Sequence, residues 1–385
     1  SQFRLGTERV VEAVREKVFP ESTVQSTSVL DSVEDEDLLN PVDTSNWLSI
    51  FKRPEVLGFL ALALITLVNS RNRFGALVGG ALPISPSGAT DLWSTYFESW
   101  HQVGMGSASA TPSWVAVTAV ASMLVFGKVQ FLITLFFLLA PILVMWSGFN
   151  LLKRLTTNRW ISIPAAFLYA ISPVTVAAIN TGHIATLLML MLSPFVALLL
   201  HDWWGIEKYS WRKIFSISLL FALLYAFTLM SFVIALVASI AVALDNFEQY
   251  SLHKDKELFK EQLLKRAALV FIPFFVNAPY SLEAILHPIR FLTEPGLLIP
   301  GGGPFAVLLG NPGGSGSLPL WLVSPILLVL VVSLFSSTHA RQIAEYGIGF
   351  LILAVLIGSL SISSHGNEST AKAWAGPVLS LVTLA

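Results

Sequence analysis

Between Thr90 and His101 the chain reads Thr-Asp-Leu-Trp-Ser-Thr-Tyr-Phe-Glu-Ser-Trp-His, its densest run of groups able to do chemistry. On a helix, Asp91 and Glu98 stand seven residues apart and share one face. Trp93, Tyr96, Phe97 and Trp100 then form an adjoining aromatic face. Carboxylates beside aromatic rings at a membrane surface suit binding a sugar and deprotonating its hydroxyl. This reading makes Asp91 and Glu98 the catalytic carboxylates, and Trp93, Tyr96, Trp100 and His101 the substrate-binding surface. A plainer reading stands beside it, with Asp91 as a helix N-cap and the rings as an interfacial belt.

Two further clusters invite the same question. Asn180-Thr-Gly-His183 lies between two apolar segments, and an ionisable residue at the edge of a span is a candidate ligand contact. Its structural alternative makes Gly182 a helix C-cap and satisfies His183 with a backbone carbonyl. Glu283, His287 and Arg290 recur at i, i+4 and i+7. There the Arg290 fork suits a phosphate or pyrophosphate, with His287 beside it. The alternative is an interfacial anchor with a local ion pair. His365 and Glu368 form a weaker pair in the last outer loop.

Other signatures are missing. Asp35 and Asp37 form an Asp-x-Asp, but no α/β domain surrounds them, and a solvated linker explains them better. The chain has no cysteine, which excludes disulfides, thiolate metal sites and a cysteine nucleophile. The Gly/Pro patches Pro300–Pro304 and Asn311–Gly316 lack the Gly-Lys-Ser/Thr ending of a phosphate loop and read as turns. Zinc and hydrolase signatures are absent. No resident metal or cofactor is assigned, and a divalent metal stays open.

These residues need a scaffold, and composition says which kind. Of 385 residues, 54% are hydrophobic and 12% charged, against about 25% charged in soluble domains. With a mean hydropathy of +0.71, the chain reads as an all-α polytopic membrane protein. A net charge of −1 argues against nucleic acid as a partner. Residues 1–50 read as a cytoplasmic juxtamembrane arm, with an amphipathic helix up to Val18 followed by an acidic linker. Residues 51–385 read as the transmembrane domain, and the chain reads as truncated at both ends.

Apolar runs fall near 55–69, 113–126, 129–149, 161–179, 184–201, 214–244, 267–285, 319–335, 343–360 and 373–385. A span needs about 20 apolar residues. Run 113–126 therefore reads as interfacial or re-entrant, and 214–244 as two helices broken near Thr228 to Ser231. Together they predict about ten transmembrane helices and a long first extracytoplasmic loop. With Lys52 and Arg53 inside, the basic clusters at Lys153, Lys208 and Lys254–Arg266 also fall inside. The loops 70–128, 180–183 and 286–318 then face outward.

The chain resembles the membrane part of large multi-pass family-2 glycosyltransferases of actinobacterial type. The likeness runs through Arg15–Ser22, Asp91–His101, Gly104–Ser107, Leu152–Leu155, Ala170–Val174, Thr181–His183, Leu286–Arg290 and Asn311–Gly314. In that family a cytoplasmic nucleotide-sugar domain precedes such an arm. The membrane body also looks like the GT-C class of lipid-linked-sugar transferases, in which an acidic residue of the first outer loop activates the acceptor. Asp91 is the matching position. The resemblance implies a bacterial cell-membrane protein with its arm in the cytoplasm. It would transfer a sugar from a polyprenyl-phosphate donor to a cell-envelope glycan or lipid acceptor, with His183 and Arg290 placing the phosphate. The bilayer, the donor and the acceptor are its expected partners. The rival expectation is a non-catalytic anchor or translocation module of a cytoplasmic family-2 transferase.

Overall fold

The computed structural model describes residues 53–71, 73–83, 86, 88–101, 106–200, 205–253, 256–314, 319, 325–335, 338–363 and 370–385. The arm over residues 1–50, His365 and Glu368 lie outside these residues, as do residues 102–105.

The fold is mostly helical. The first half contains α1 (Pro54–Asn69), α2 (Ala89–Phe97), α3 (Trp114–Met123), α4 (Val129–Leu155), α5 (Arg159–Ala170), α6 (Pro173–Thr181) and α7 (Ile184–Leu199). The second half contains α8 (Trp211–Phe227), α9 (Met230–His253), α10 (Lys256–Val276), α11 (Tyr280–Leu286), α12 (Gly303–Leu308), α13 (Pro325–Ser333), α14 (Thr338–Ser359) and α15 (Gly376–Leu384). A short antiparallel hairpin, β1 (Ser361–Ser363) with β2 (Thr370–Lys372), separates α14 from α15.

Local sequence explains most of the boundaries. Asn158 caps α5 by accepting from the Trp160 amide, and Ser210 caps α8 through the Lys213 amide. Ser172 caps α6, whose first residue is Pro173, a ring already set for helical φ. Gly182 closes α6 in the left-handed conformation at φ 83°, as the capping alternative requires. Lys153 and Arg154 sit in the last turn of α4, where cations complement the helix dipole.

Helix α4 is the hub of the first half and packs on α1, α5 and α7. Its buried face carries Ala140, Val144, Met145 and Gly148. Small residues let helices approach closely where lipid removes the hydrophobic drive between them. A Cβ on Gly148 would stand 2.9 Å from the Tyr169 ring. In the second half α10 packs on α8 and α9, and α14 holds α12, α13 and α15.

Three stretches are long and apolar enough to cross a membrane: Val129–Leu155, Arg159–Thr181 across the α5–α6 joint, and Ala340–Ser359. The bent pair α10–α11, turning by 100° at its break, makes a fourth if it counts as one span. Ten were expected. The difference comes from interruptions and short helices: α1, α3 and α7 have 16, 10 and 16 residues. At 1.5 Å per residue, α3 reaches about 15 Å, half a hydrocarbon core. That fits the interfacial or re-entrant reading of run 113–126. The break expected near Thr228 lies between Phe227 and Met230.

The loops read as outward-facing are bonded to one another and so share one end of the bundle. The Ala81 amide donates to the Thr181 carbonyl at 2.7 Å, and the Gly301 amide to Lys372 at 2.9 Å. The Ala110 amide donates to the Glu283 carboxylate at 2.9 Å. The opposite end is tied by the Glu55–Arg159 ion pair at 2.9 Å. There, too, the Lys265 ammonium donates to the Glu207 carbonyl at 2.6 Å.

Candidate functional site

At the loop end, four segments meet around His183, the residue between α6 and α7. His183 is 3% exposed. Its Nδ1 lies 3.1 Å from Glu294 Oε2, and its ring stacks on Trp374 with centroids 3.7 Å apart and planes 9° from parallel. Thr186, one turn into α7, donates its hydroxyl to Glu294 Oε1 at 2.6 Å. The Trp374 indole N–H in turn donates to the Thr186 hydroxyl at 2.9 Å. His183 Nε2 is buried without a hydrogen-bond partner among the described residues. A carboxylate, imidazole, hydroxyl and indole thus form one buried chain, in which each bond is strengthened by low polarity.

Glycine makes this convergence possible. Gly296 adopts φ 104°, and a Cβ there would collide with the Ala81 carbonyl. Gly314, at φ 86°, meets the Thr181 side chain in the same way. The Gly/Pro patches are therefore close-approach surfaces as well as turns.

The aromatic run forms α2, but in a different register from the one expected. Gly88, not Asp91, is the N-cap, and Asp91 lies in the first turn, where a carboxylate favours the exposed amides. The helix ends at Phe97, and Glu98 is extended at ψ 131°. Asp91 and Glu98 are therefore not displayed together on one helical face. Trp93 stacks on Phe97 at 5.7 Å, and Tyr96 meets both rings edge-on. Trp100 is 55% exposed. His101 is fixed by its backbone pairing to Ser107 and by a 2.9 Å contact from Nε2 to the Thr111 hydroxyl.

Behind α2 lies an apolar cavity of about 230 Å³. Its walls come from α2 through Leu92, α3 through Trp114, α4 through Leu132, α7 through Ile184 and α8 through Leu223. Leu92 follows Asp91 and Ile184 follows His183 in sequence, but neither Asp91 nor His183 is part of the cavity wall. The Ala89 amide, bonded to the Gly127 carbonyl at 3.1 Å, ties α2 to the α3–α4 turn.

The third cluster closes on itself. Arg290 donates to Glu283 at 2.7 Å and lies 5.2 Å from the centre of the Tyr280 ring. Glu283 also accepts the Ala110 amide. His287 is exposed and ends α11. Asn180 accepts from Arg73 Nη2 at 2.6 Å. Among the described residues no group of three or more His, Asp or Glu gathers as metal ligands.

Glu294, Thr186 and Trp374 had no place in the sequence reading. One signal was present: Glu294 is the sole carboxylate in residues 286–318, an isolated charge in an apolar, glycine-rich loop. Its partner His183 is 111 residues away, and nothing local joins them.

No protein-family model matches the chain. No curated protein and no solved structure matches it either.

Proposed function

We propose that residues 51–385 form the membrane module of a cell-envelope glycosyltransferase with GT-C-like architecture. It moves a sugar from a polyprenyl-phosphate donor to a glycan or lipid acceptor at the outer face of a bacterial membrane. The observation that carries this reading is an apolar cavity bordered by the residues next to Asp91 and His183. The cavity takes part of the isoprenoid chain, and Asp91 and His183, next in sequence to two of its wall residues, meet the sugar phosphate. Short helices such as α1, α3 and α7 complete the bundle within the bilayer.

In this scheme the acceptor hydroxyl oxygen attacks the anomeric carbon. Asp91 takes its proton, and the carbon–oxygen bond to phosphate breaks with the electron pair leaving on phosphate. Glu98, Trp93, Tyr96, Trp100 and His101 shape the acceptor side, while Asn180, His183 and His287 border the donor. Arg290 plays a lesser part, because Glu283 already neutralises its charge.

The test is Asp91→Asn in proteoliposomes supplied with a polyprenyl-phosphate sugar. A general base contributes about 10²–10⁴-fold in rate, so the variant loses most transfer while keeping its melting behaviour. Full activity ends the catalytic assignment.

A second reading, a non-catalytic anchor or translocation module, is favoured by one observation. Glu294 and Glu283 occupy His183 and Arg290 in internal pairs that need no ligand. Sugar transfer by the purified chain alone separates the two, since an anchor has none.

A further inference from the structure

Helix α1 ends at Asn69, and the chain turns back at once. The Ser70 amide bonds to the Thr66 carbonyl at 2.8 Å, and the Arg73 amide to the Ser70 carbonyl at 2.7 Å. Arg73 is thereby fixed just past the end of an apolar helix. Its guanidinium is half-buried, and its Nη2 donates to Asn180 Oδ1 at 2.6 Å.

The partner is neutral. Arg159, Arg290 and Arg341 each meet a carboxylate. Among the described residues no carboxylate pairs with Arg73. An amide orients a guanidinium without cancelling its charge, and a half-buried, uncompensated cation at a membrane edge is costly. Arginine offers five N–H donors in a planar fork that matches two oxygens of a phosphate. The contact to Asn180 uses one nitrogen and leaves the other edge of the fork.

The surroundings fit such an anion. Arg73 lines a narrow cleft with Ser70, Thr134 and Phe137, about 10 Å³ inside. That is room for one oxygen-sized group, so a phosphate sits at the mouth rather than within. Phe74 is 57% and Val78 84% exposed beside it, an apolar flank for a hydrocarbon chain. We propose that Arg73, aimed by Asn180, is a phosphate-binding residue for an anionic lipid headgroup at the end of α1. This rests on the membrane reading of α1 and on no step of the transfer chemistry.

Binding of radiolabelled phosphatidylglycerol, a lipid outside the donor class proposed for the cavity, to the full chain in a phosphate-free maltoside tests it. Arg73→Ala should weaken binding by about ten- to a hundredfold, the value of hydrogen bonds to a charged group. Arg73→Lys should weaken it severalfold, because an ammonium cannot fork, and Asn180→Leu should do likewise by releasing the guanidinium. Arg341→Lys should bind as wild type does. Displacement by inorganic phosphate at similar concentration overturns the lipid assignment, whereas displacement only by unlabelled phosphatidylglycerol supports it. Unchanged affinity in Arg73→Ala overturns the proposal, as does dioleoylglycerol binding as tightly as phosphatidylglycerol. If Arg73→Ala does not fold, unchanged affinity in Arg73→Lys overturns it instead. Asp91 is untouched throughout, so loss of the transfer reading leaves this result standing.

Discussion

Replacing Glu294 with leucine keeps a similar volume and removes every hydrogen bond the carboxylate makes. In the native structure it accepts from the Thr186 hydroxyl at 2.6 Å and lies 3.1 Å from His183 Nδ1. Its side chain is 6% exposed, so water cannot replace those bonds. His183 Nε2 has no partner among the described residues, so the variant leaves both ring nitrogens buried and unsatisfied. Breaking one side of such a buried pair costs about 3–5 kcal/mol. At about 2 °C per kcal/mol for a large chain, the melting midpoint should fall by roughly 6–10 °C. The assay is thermal unfolding in detergent, followed by loss of the monodisperse peak on size exclusion. Glu283→Leu is the comparison. That carboxylate is 31% exposed, and pairs near solvent contribute about 0–1 kcal/mol, so its midpoint should move by no more than about 2 °C. Equal melting of Glu294→Leu and wild type would refute the view that this network holds the loop end together.

Two more outcomes follow from the same geometry. Gly296→Ala places a side chain at φ 104° against the Ala81 carbonyl, a strain of about 1–3 kcal/mol before any collision; its melting midpoint should fall, whereas Gly349→Ala, with open space around it, should melt as wild type does. The native chain has no cysteine, so single cysteines report topology: Ser99→Cys should react with an impermeant maleimide on intact cells and Thr157→Cys should not, and labelling at Thr157 alone would invert the assigned orientation.

Much of the helical layout was legible because apolar runs carry it. Run 129–149 became α4, extended to Leu155 by a basic turn that periodicity does not register. The short run 113–126 forms α3, whose ten residues fall short of a span's length. The joints were harder to read. Ser172 caps α6 just before Pro173, which splits run 161–179, yet the two halves still pass as one candidate span. The 100° bend between α10 and α11 is marked in run 267–285 by Asn277 and Pro279, the residue that opens α11, which an unbroken apolar run passes over.

For the site, short spacings were informative and long ones were not. Glu283 and Arg290, seven apart, do form an ion pair. Asp91 and Glu98, also seven apart, do not share a helical face, because α2 stops at Phe97. The Thr186–Trp374 bond spans 188 residues. It depends on how α7 meets the segment after the hairpin, which no local pattern encodes.

The claim that a lipid-linked donor occupies the cavity behind α2 is tested most directly by photo-crosslinking. A benzophenone-bearing polyprenyl phosphate, irradiated with the full chain in vesicles and mapped by mass spectrometry, reports where the isoprenoid lies. The account predicts adducts concentrated on Trp114, Leu132 and Leu223, residues of the cavity wall, and lost when unlabelled lipid is added. Adducts spread over exposed positions such as Leu219 and Phe271, and indifferent to competitor, would contradict it.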